Sequence, residues 1–253
     1  MTNIMAKLIT KSNKKKYLKI KRNQLLILDA LLNDGGYIKK FIDKSNHVRF
    51  SEHSGHLGLS NSYSSIDRII VSAQTTREDN DDLDILLPNN LSDTYHYEYF
   101  FHTHPPTPYP GSRAKDGILY EFPSIADIFH FIDHYNSGKT LGSIVVAPEG
   151  YYLIFPKNFM IKTINYDVEI ENQLFTSMNE ENDLIQEKAL LKYGDEFNEE
   201  FYYKTIATDN EFLKLFNEMI NKYLNDQLKI VIKHRTKDPL TNKWILKNLY
   251  LPI

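Results

Sequence analysis

Residues 95–105 read YHYEYFFHTHP, an aromatic run that leads into two histidines one residue apart and stops at a proline. The alternation and the aromatic content predict a β-strand. Pro105 ends it, because proline offers no N–H to a ladder. Residues i and i+2 of a strand face the same side, so His102 and His104 direct their imidazoles to one place. Downstream, residues 124–135 (SIADIFHFIDHY) repeat apolar side chains at helical spacing, with Ser124 as N-cap. Asp127 falls in the first turn of that helix, where the chain can return its carboxylate to the histidines.

The rest of the first 156 residues reads as mixed α and β structure. Leu25, Leu26, Ile27, Leu28, Ala30, Leu31 and Leu32 predict a helix stopped by Asp34-Gly35-Gly36, with a second short helix expected over 37–42. Residues 47–59 (HVRFSEHSGHLGL) and 67–75 predict strands, and the acidic stretch 77–84 predicts a loop. Residues 105–123, rich in proline and glycine, read as a long loop. Residues 142–148 and 151–155 predict a hairpin across Glu149-Gly150. After Pro156 the texture turns acidic and helical over 165–225, with apolar spacing at Phe212, Leu215, Phe216 and Met219. A closing strand pair is expected at 228–234 and 244–251, with Trp244 packing it. The division expected is a domain over 1–156, its core at about 20–156 and an insertion at 105–123, followed by a mainly helical extension over 157–253.

Composition narrows the chemistry. With no cysteine, thiolate zinc sites, disulfides and cysteine nucleophiles are excluded, so any metal must be held by His, Asp and Glu. The net charge of −3 and the pI of about 6.3 give no global excess of positive charge for nucleic acid or an anionic membrane. The basic run from Lys11 to Arg22 reads as a solvated N-terminal segment. No apolar run approaches a membrane span and the first residues lack a signal-peptide core, which predicts a soluble, intracellular, cytoplasmic protein. The 42% apolar content suffices for a sizeable core.

Two imidazoles and a carboxylate can bind zinc at about 2.0–2.1 Å and leave a fourth position open, as catalytic sites do. The expected cofactor is one Zn2+ per chain on His102, His104 and Asp127. His53 and His56 read as solvated or hydrogen-bonded histidines. His130 and His134, at i and i+4 on the helix, are a weaker second metal pair. Tyr109 and Tyr120 in the insertion are candidates for substrate contact or for loop packing.

FHTHP followed by PSIAD resembles the JAMM (MPN+, or JAB/MPN) zinc metallopeptidases, whose signature is an upstream Glu, then HxH with proline, then SxxD. The family's Glu lies on a strand resembling ExGGxLxG. Here Glu52, Gly55 and Leu57 match, Ser54 and Leu59 replace glycines, and Gly58 stands one place early. The resemblance covers residues 20–156. It implies a mixed sheet flanked by helices, similar to the cytidine-deaminase-like architecture, here with a C-terminal helical extension and closing β-hairpin. It also implies zinc on His102, His104 and Asp127, Glu52 as the base that shuttles the water's proton, and Ser124 as oxyanion donor. The reaction implied is hydrolysis of a peptide or isopeptide bond, with ubiquitin or ubiquitin-like conjugates as substrates and an MPN-type dimer as one arrangement. The alternatives are a non-catalytic MPN-like scaffold or binding module, and a zinc amidohydrolase with a different substrate. One departure is the gap: nineteen residues separate His104 from Ser124, longer than in the family. At the shorter gap stands Ser112, with Lys115 where the Asp belongs and Asp116 one place late. Ser124 and Asp127 are preferred because they open a helix with an apolar face.

Overall fold

The computed structural model describes residues 17–35, 40–42, 48–60, 65–71, 98–105, 110–158, 160–194, 198–236, 240, 245 and 247–252. An eight-stranded mixed sheet forms the framework, in the order β10-β1-β5-β4-β6-β7-β8-β9. Its strands are β1 (Tyr17–Ile20), β4 (Ser54–Leu59), β5 (Ser65–Val71), β6 (Tyr99–Thr103), β7 (Gly142–Val146), β8 (Gly150–Pro156), β9 (Leu228–His234) and β10 (Leu249–Pro252). β2 (Lys40–Ile42) and β3 (Val48–Phe50) make a separate antiparallel ribbon. Within the large sheet the β1–β5 and β6–β7 pairs are parallel and the others antiparallel.

The strands alternate in which face they bury, and each face has its own core. Leu57, Tyr99, Phe101, Ile144, Val146, Tyr151 and Leu153 point to one side and pack on α1 (Arg22–Asn33) through Leu25, Leu28 and Leu32. Phe100, Val145, Tyr152, Ile154 and Ile230 point to the other. There they meet α2 (Ile125–Asn136), α3 (Glu171–Tyr193) and α4 (Asn210–Tyr223). Helix α2 forms where its pattern predicts. Ile125, Ile128, Phe129 and Ile132 fall on one buried stripe, Ser124 caps the N-terminus, and Gly138, at φ 71°, follows the helix in the left-handed conformation.

Several expectations need correcting. Lys40–Ile42 is a strand, not part of a second helix. The segment expected as one strand over 47–59 is two, β3 and β4, separated by residues 51–53. The basic run hides β1, whose Leu18 and Ile20 are fully buried, so its end at Tyr17–Ile20 is an inner strand and not a solvated segment. Among the described residues the closing segments meet where Ile245 N–H donates to the Thr236 carbonyl at 2.9 Å but share no ladder: β9 pairs with β8 and β10 with β1. Residues 77–84, Tyr109 and Trp244 lie outside the described residues.

Nor is the whole of 105–123 a surface loop. Residues Ser112–Asp116 make a 3-10 turn between Gly111 and Gly117, both at positive φ. Leu119, Tyr120, Glu121 and Phe122 follow outside any helix or strand and are all buried. Tyr120 and Phe122 stack at 5.2 Å between ring centroids, and Phe122 stacks on Phe216 of α4 at 4.8 Å. Helices from beyond residue 157 and the face of the sheet therefore share one apolar cluster.

Candidate metal centre

β6 carries His102 to the rim of the sheet on the α2 face. Backbone pairing persists past the strand's end: His104 N–H donates to the Val146 carbonyl at 2.8 Å, and Thr103 N–H to the His53 carbonyl at 2.9 Å. His104 is thus held in extended geometry with its ring on the same side as that of His102. Asp127 is the third residue of α2 and closes a capping box. Ser124 Oγ accepts from Asp127 N–H at 3.1 Å, and Ser124 N–H donates to Asp127 Oδ2 at 2.7 Å. The box points the carboxylate toward the histidines.

The three side chains converge. His102 Nε2 lies 3.1 Å from Asp127 Oδ1, His104 Nε2 lies 3.2 Å from Asp127 Oδ2, and the two Nε2 atoms are 3.1 Å apart. Donors bound tetrahedrally to zinc at about 2.0–2.1 Å stand about 3.3–3.4 Å from one another. The two Nε2 atoms stand close to that spacing, each faces its own oxygen of the Asp127 carboxylate, and one ligand atom from each residue lies within 4.8 Å of the others, so these residues form a metal-competent group. His104 Nδ1 donates to the Glu121 carbonyl at 3.3 Å. A carbonyl only accepts, so this bond fixes the tautomer and leaves Nε2 as the ligand atom, the usual arrangement behind a metal-bound histidine. Asp116, the rival third ligand, is exposed on the 3-10 turn and is not part of the cluster.

The histidines and Asp127 shift one another's protonation strongly. Burial alone would push the His104 imidazolium down, but the hydrogen bond and charge of Asp127, with Glu52 and Glu121, raise it to about 9. Burial would raise the Asp127 carboxyl, yet His102 and His104 hold it well below the usual carboxylate range. Binding a dication in place of shared protons relieves both arrangements.

Glu52 precedes His53, whose backbone N–H donates to Thr103 Oγ1 at 2.9 Å and whose carbonyl accepts from Thr103 N–H. Ser54 pairs with His102 in the β4–β6 ladder, and continuing that register sets residue 52 opposite residue 104. Glu52 is partly exposed, and its charge acts on both His104 and Glu121. Two contacts fix the backbone there. His53 Nε2 lies 2.9 Å from Asp34 Oδ2 at the end of α1, and Ser51 is packed so tightly on Gly35 that a Cβ on that glycine would stand 2.0 Å from the Ser51 carbonyl oxygen. Gly55, the motif glycine present here, is also required: a Cβ on it would meet the Ile70 carbonyl oxygen at 2.0 Å and the Phe101 ring at 2.7 Å.

The remaining histidines stand apart from the cluster. His130 and His134 stack on each other at 4.2 Å and lie against Phe100, and His134 Nδ1 donates to the His130 carbonyl at 3.1 Å. They join no metal-competent group among the described residues. His56 is buried beside His134, and burial together with that neighbour lowers its pKa to about 4. Tyr120 donates its hydroxyl to the Ile206 carbonyl at 2.9 Å, which makes it a packing residue.

The sequence reading missed two buried carboxylates. Glu121 pairs with Arg113 at 2.7 Å, and burial still raises its carboxyl above the usual range. Glu149, at the β7–β8 turn, is completely buried. Its Oε1 accepts from Glu121 N–H, while Oε2 has no hydrogen-bond partner among the described residues. Burial and the Glu121 charge push its pKa up to about 8. An acid inside the aromatic run LYEFP was the available signal for Glu121; Glu149 looked like an ordinary turn residue.

No protein-family model matches the chain. The chain is 35% identical over 243 residues to the "Uncharacterized protein R413" of Acanthamoeba polyphaga mimivirus, an alignment covering 93% of this chain and 65% of that protein. The chain thus spans just under two thirds of that viral relative's length. Among the described residues, no helix is long and apolar enough to cross a membrane.

Proposed function

We propose that the protein is a zinc-dependent hydrolase of the JAMM type that cleaves a peptide or isopeptide bond. The observation that supports this reading is the convergence of His102 Nε2 and His104 Nε2, 3.1 Å apart, on the two oxygens of the Asp127 carboxylate. Zinc bound there supplies Lewis acidity, which brings the pKa of a water to about 7. Glu52, next to His104 in the strand register, takes the proton from the attacking water and delivers it to the departing amine. Ser124 uses an oxygen lone pair for the cap and keeps its hydroxyl proton to donate to the oxyanion that develops at the carbonyl. His104 is oriented by the Glu121 carbonyl, and Asp127 by the capping box. The substrates proposed are protein conjugates, ubiquitin and ubiquitin-like tags among them.

Metal analysis of purified wild type, His104→Ala and Glu52→Gln tests the reading. Wild type should carry about one zinc per chain, His104→Ala should lose it, and Glu52→Gln should keep it while hydrolysis of a tagged-peptide panel falls by about 10²–10⁴. Full zinc occupancy in His104→Ala would falsify the site. Undiminished hydrolysis in Glu52→Gln would remove the assigned base.

A further inference from the structure

Residues 119–121 have an unusual solution for their buried backbone. Buried N–H and C=O groups must find partners, most often within helices or β-ladders, and residues 119–121 belong to neither. Here side chains supply all six. Leu119 N–H and Tyr120 N–H both donate to Gln186 Oε1, at 2.9 and 3.1 Å, and Gln186 Nε2 donates to the Tyr120 carbonyl at 2.8 Å. The Tyr202 hydroxyl donates to the Leu119 carbonyl at 3.4 Å. Glu121 N–H donates to Glu149 Oε1, and the Glu121 carbonyl accepts from His104 Nδ1. Gln186 lies on α3, far along the chain from the ligands, and is 3% exposed.

We propose that Glu149 and Gln186 are positioning residues for the metal ligand His104, acting through the backbone of residues 119–121; this rests on the zinc reading above. Gln186 holds the segment from the helical side, its amide oxygen taking two backbone N–H groups and its amide nitrogen meeting one carbonyl. Glu149 holds it from the sheet side and sets where the Glu121 carbonyl stands. That carbonyl fixes the His104 ring and with it the direction of Nε2. The demand on Glu149 is for an acceptor and not for a charge: it is fully buried, the described residues give it no ion-pair partner, and its carboxylate neighbour is Glu121. The helical region outside the JAMM-like motifs is thereby part of the metal centre.

The test compares Glu149→Gln, Glu149→Leu and Gln186→Leu with wild type, using Leu28→Ala on the opposite face of the sheet as a purely structural control. Two quantities are read on folded protein: zinc affinity by chelator competition, and protection of the His104 Nδ1 proton by NMR without metal. Outer-shell partners of metal ligands typically contribute about 10–100-fold in affinity. Glu149→Gln should stay within about threefold of wild type, the scatter expected when the acceptor is retained. Glu149→Leu and Gln186→Leu should weaken zinc binding by about 10–100-fold and lose the protected proton. Leu28→Ala should lower the melting temperature and move neither readout. Wild-type affinity and a protected proton in both leucine variants would overturn the proposal, as would Glu149→Gln failing as badly as Glu149→Leu. If wild type binds no zinc, the hydrolase reading falls while the proton readout still decides the positioning. Should Glu149→Leu not fold, Gln186→Leu probes the same template from its other side.

Discussion

Replacing Ser124 by glycine separates two jobs that one hydroxyl performs. As N-cap of α2, Ser124 accepts from Asp127 N–H at 3.1 Å, with φ −66° and ψ 163° in the extended region. Glycine serves almost as well at that position and costs only a few tenths of a kcal/mol, whereas alanine costs about 1 kcal/mol. In a chain of this size, 1 kcal/mol corresponds to about 2–4 °C in melting temperature. Helix α2 also buries six residues, so packing and not the cap dominates its stability. Ser124→Gly should therefore melt within about 1–2 °C of wild type. It should keep its zinc, because Asp127 Oδ2 still accepts from the backbone N–H of residue 124. Loss of the oxyanion donor should lower kcat by about 10²–10³. Ser124→Thr should recover most of it, and Ser124→Ala should lose both stability and rate. Thermal melts, zinc content and single-substrate kinetics on the four proteins decide the matter. Turnover at the wild-type level in Ser124→Gly refutes the oxyanion role, and a loss of rate that merely tracks loss of zinc refutes it too.

On the far face of the sheet, Asp29 Oδ1 accepts from Tyr151 and Arg235, each at 2.5 Å, all three residues being buried. Asp29→Ala strands the Arg235 guanidinium and should cost about 3–5 kcal/mol in chemical denaturation; a change below 1 kcal/mol would show that Arg235 finds another partner. Gly55→Ala forces a Cβ to 2.0 Å from the Ile70 carbonyl oxygen, so the β4–β5 pairing must shift, and a melting temperature equal to wild type would contradict the close approach. Burial and the Glu121 charge push the Glu149 carboxyl up to about 8, against about 4.5 for an exposed glutamate. The folded state keeps a proton that the unfolded chain releases, so this contribution is whole below about pH 4.5 and drains away as pH rises toward 8. Glu149→Gln should flatten that part of the stability profile, and an unchanged slope between pH 5 and 8 would rule the assignment out. His56 works in the opposite sense. Its pKa of about 4 against 6.5 makes the unfolded chain the better proton acceptor, so acidification through 6.5 toward 4 removes stability. His56→Gln should be less acid-sensitive over that interval, as denaturation midpoints at pH 5 and 7 will show.

What the sequence made legible was whatever local chemistry dictates. The HxH pair, the helix capped by Ser124 and the β7–β8 hairpin follow from spacing two, spacing 3.6 and turn residues, and the structure has all of them. Helical continuation pointed to Asp127, and it is Asp127 and not Asp116 that the structure sets beside the histidines. Long-range pairing was not legible. Leu18 and Ile20 alternate as a buried strand should, but the lysines around them disguise it. The partners of β9 and β10 could not be read locally, because each strand finishes a sheet edge supplied by the first 156 residues. Glu121 and Glu149 escaped for a related reason: a buried acid is recognisable only once its surroundings are known.

The pairing of β10 with β1 and of β9 with β8 has a consequence for when the site can mature. Every ligand is encoded before residue 128, yet both flanks of the sheet, and Gln186 behind His104, come from chain made later. Until Gln186 and β9 have been made, β8 lacks a partner on one side and the Leu119 and Tyr120 amides lack their acceptor. Contacts this distant in sequence form late, since closing such long loops costs entropy before any reward arrives. A fragment ending at Pro156 would therefore contain His102, His104 and Asp127 without β9, β10 and Gln186, which brace the sheet and the segment behind His104.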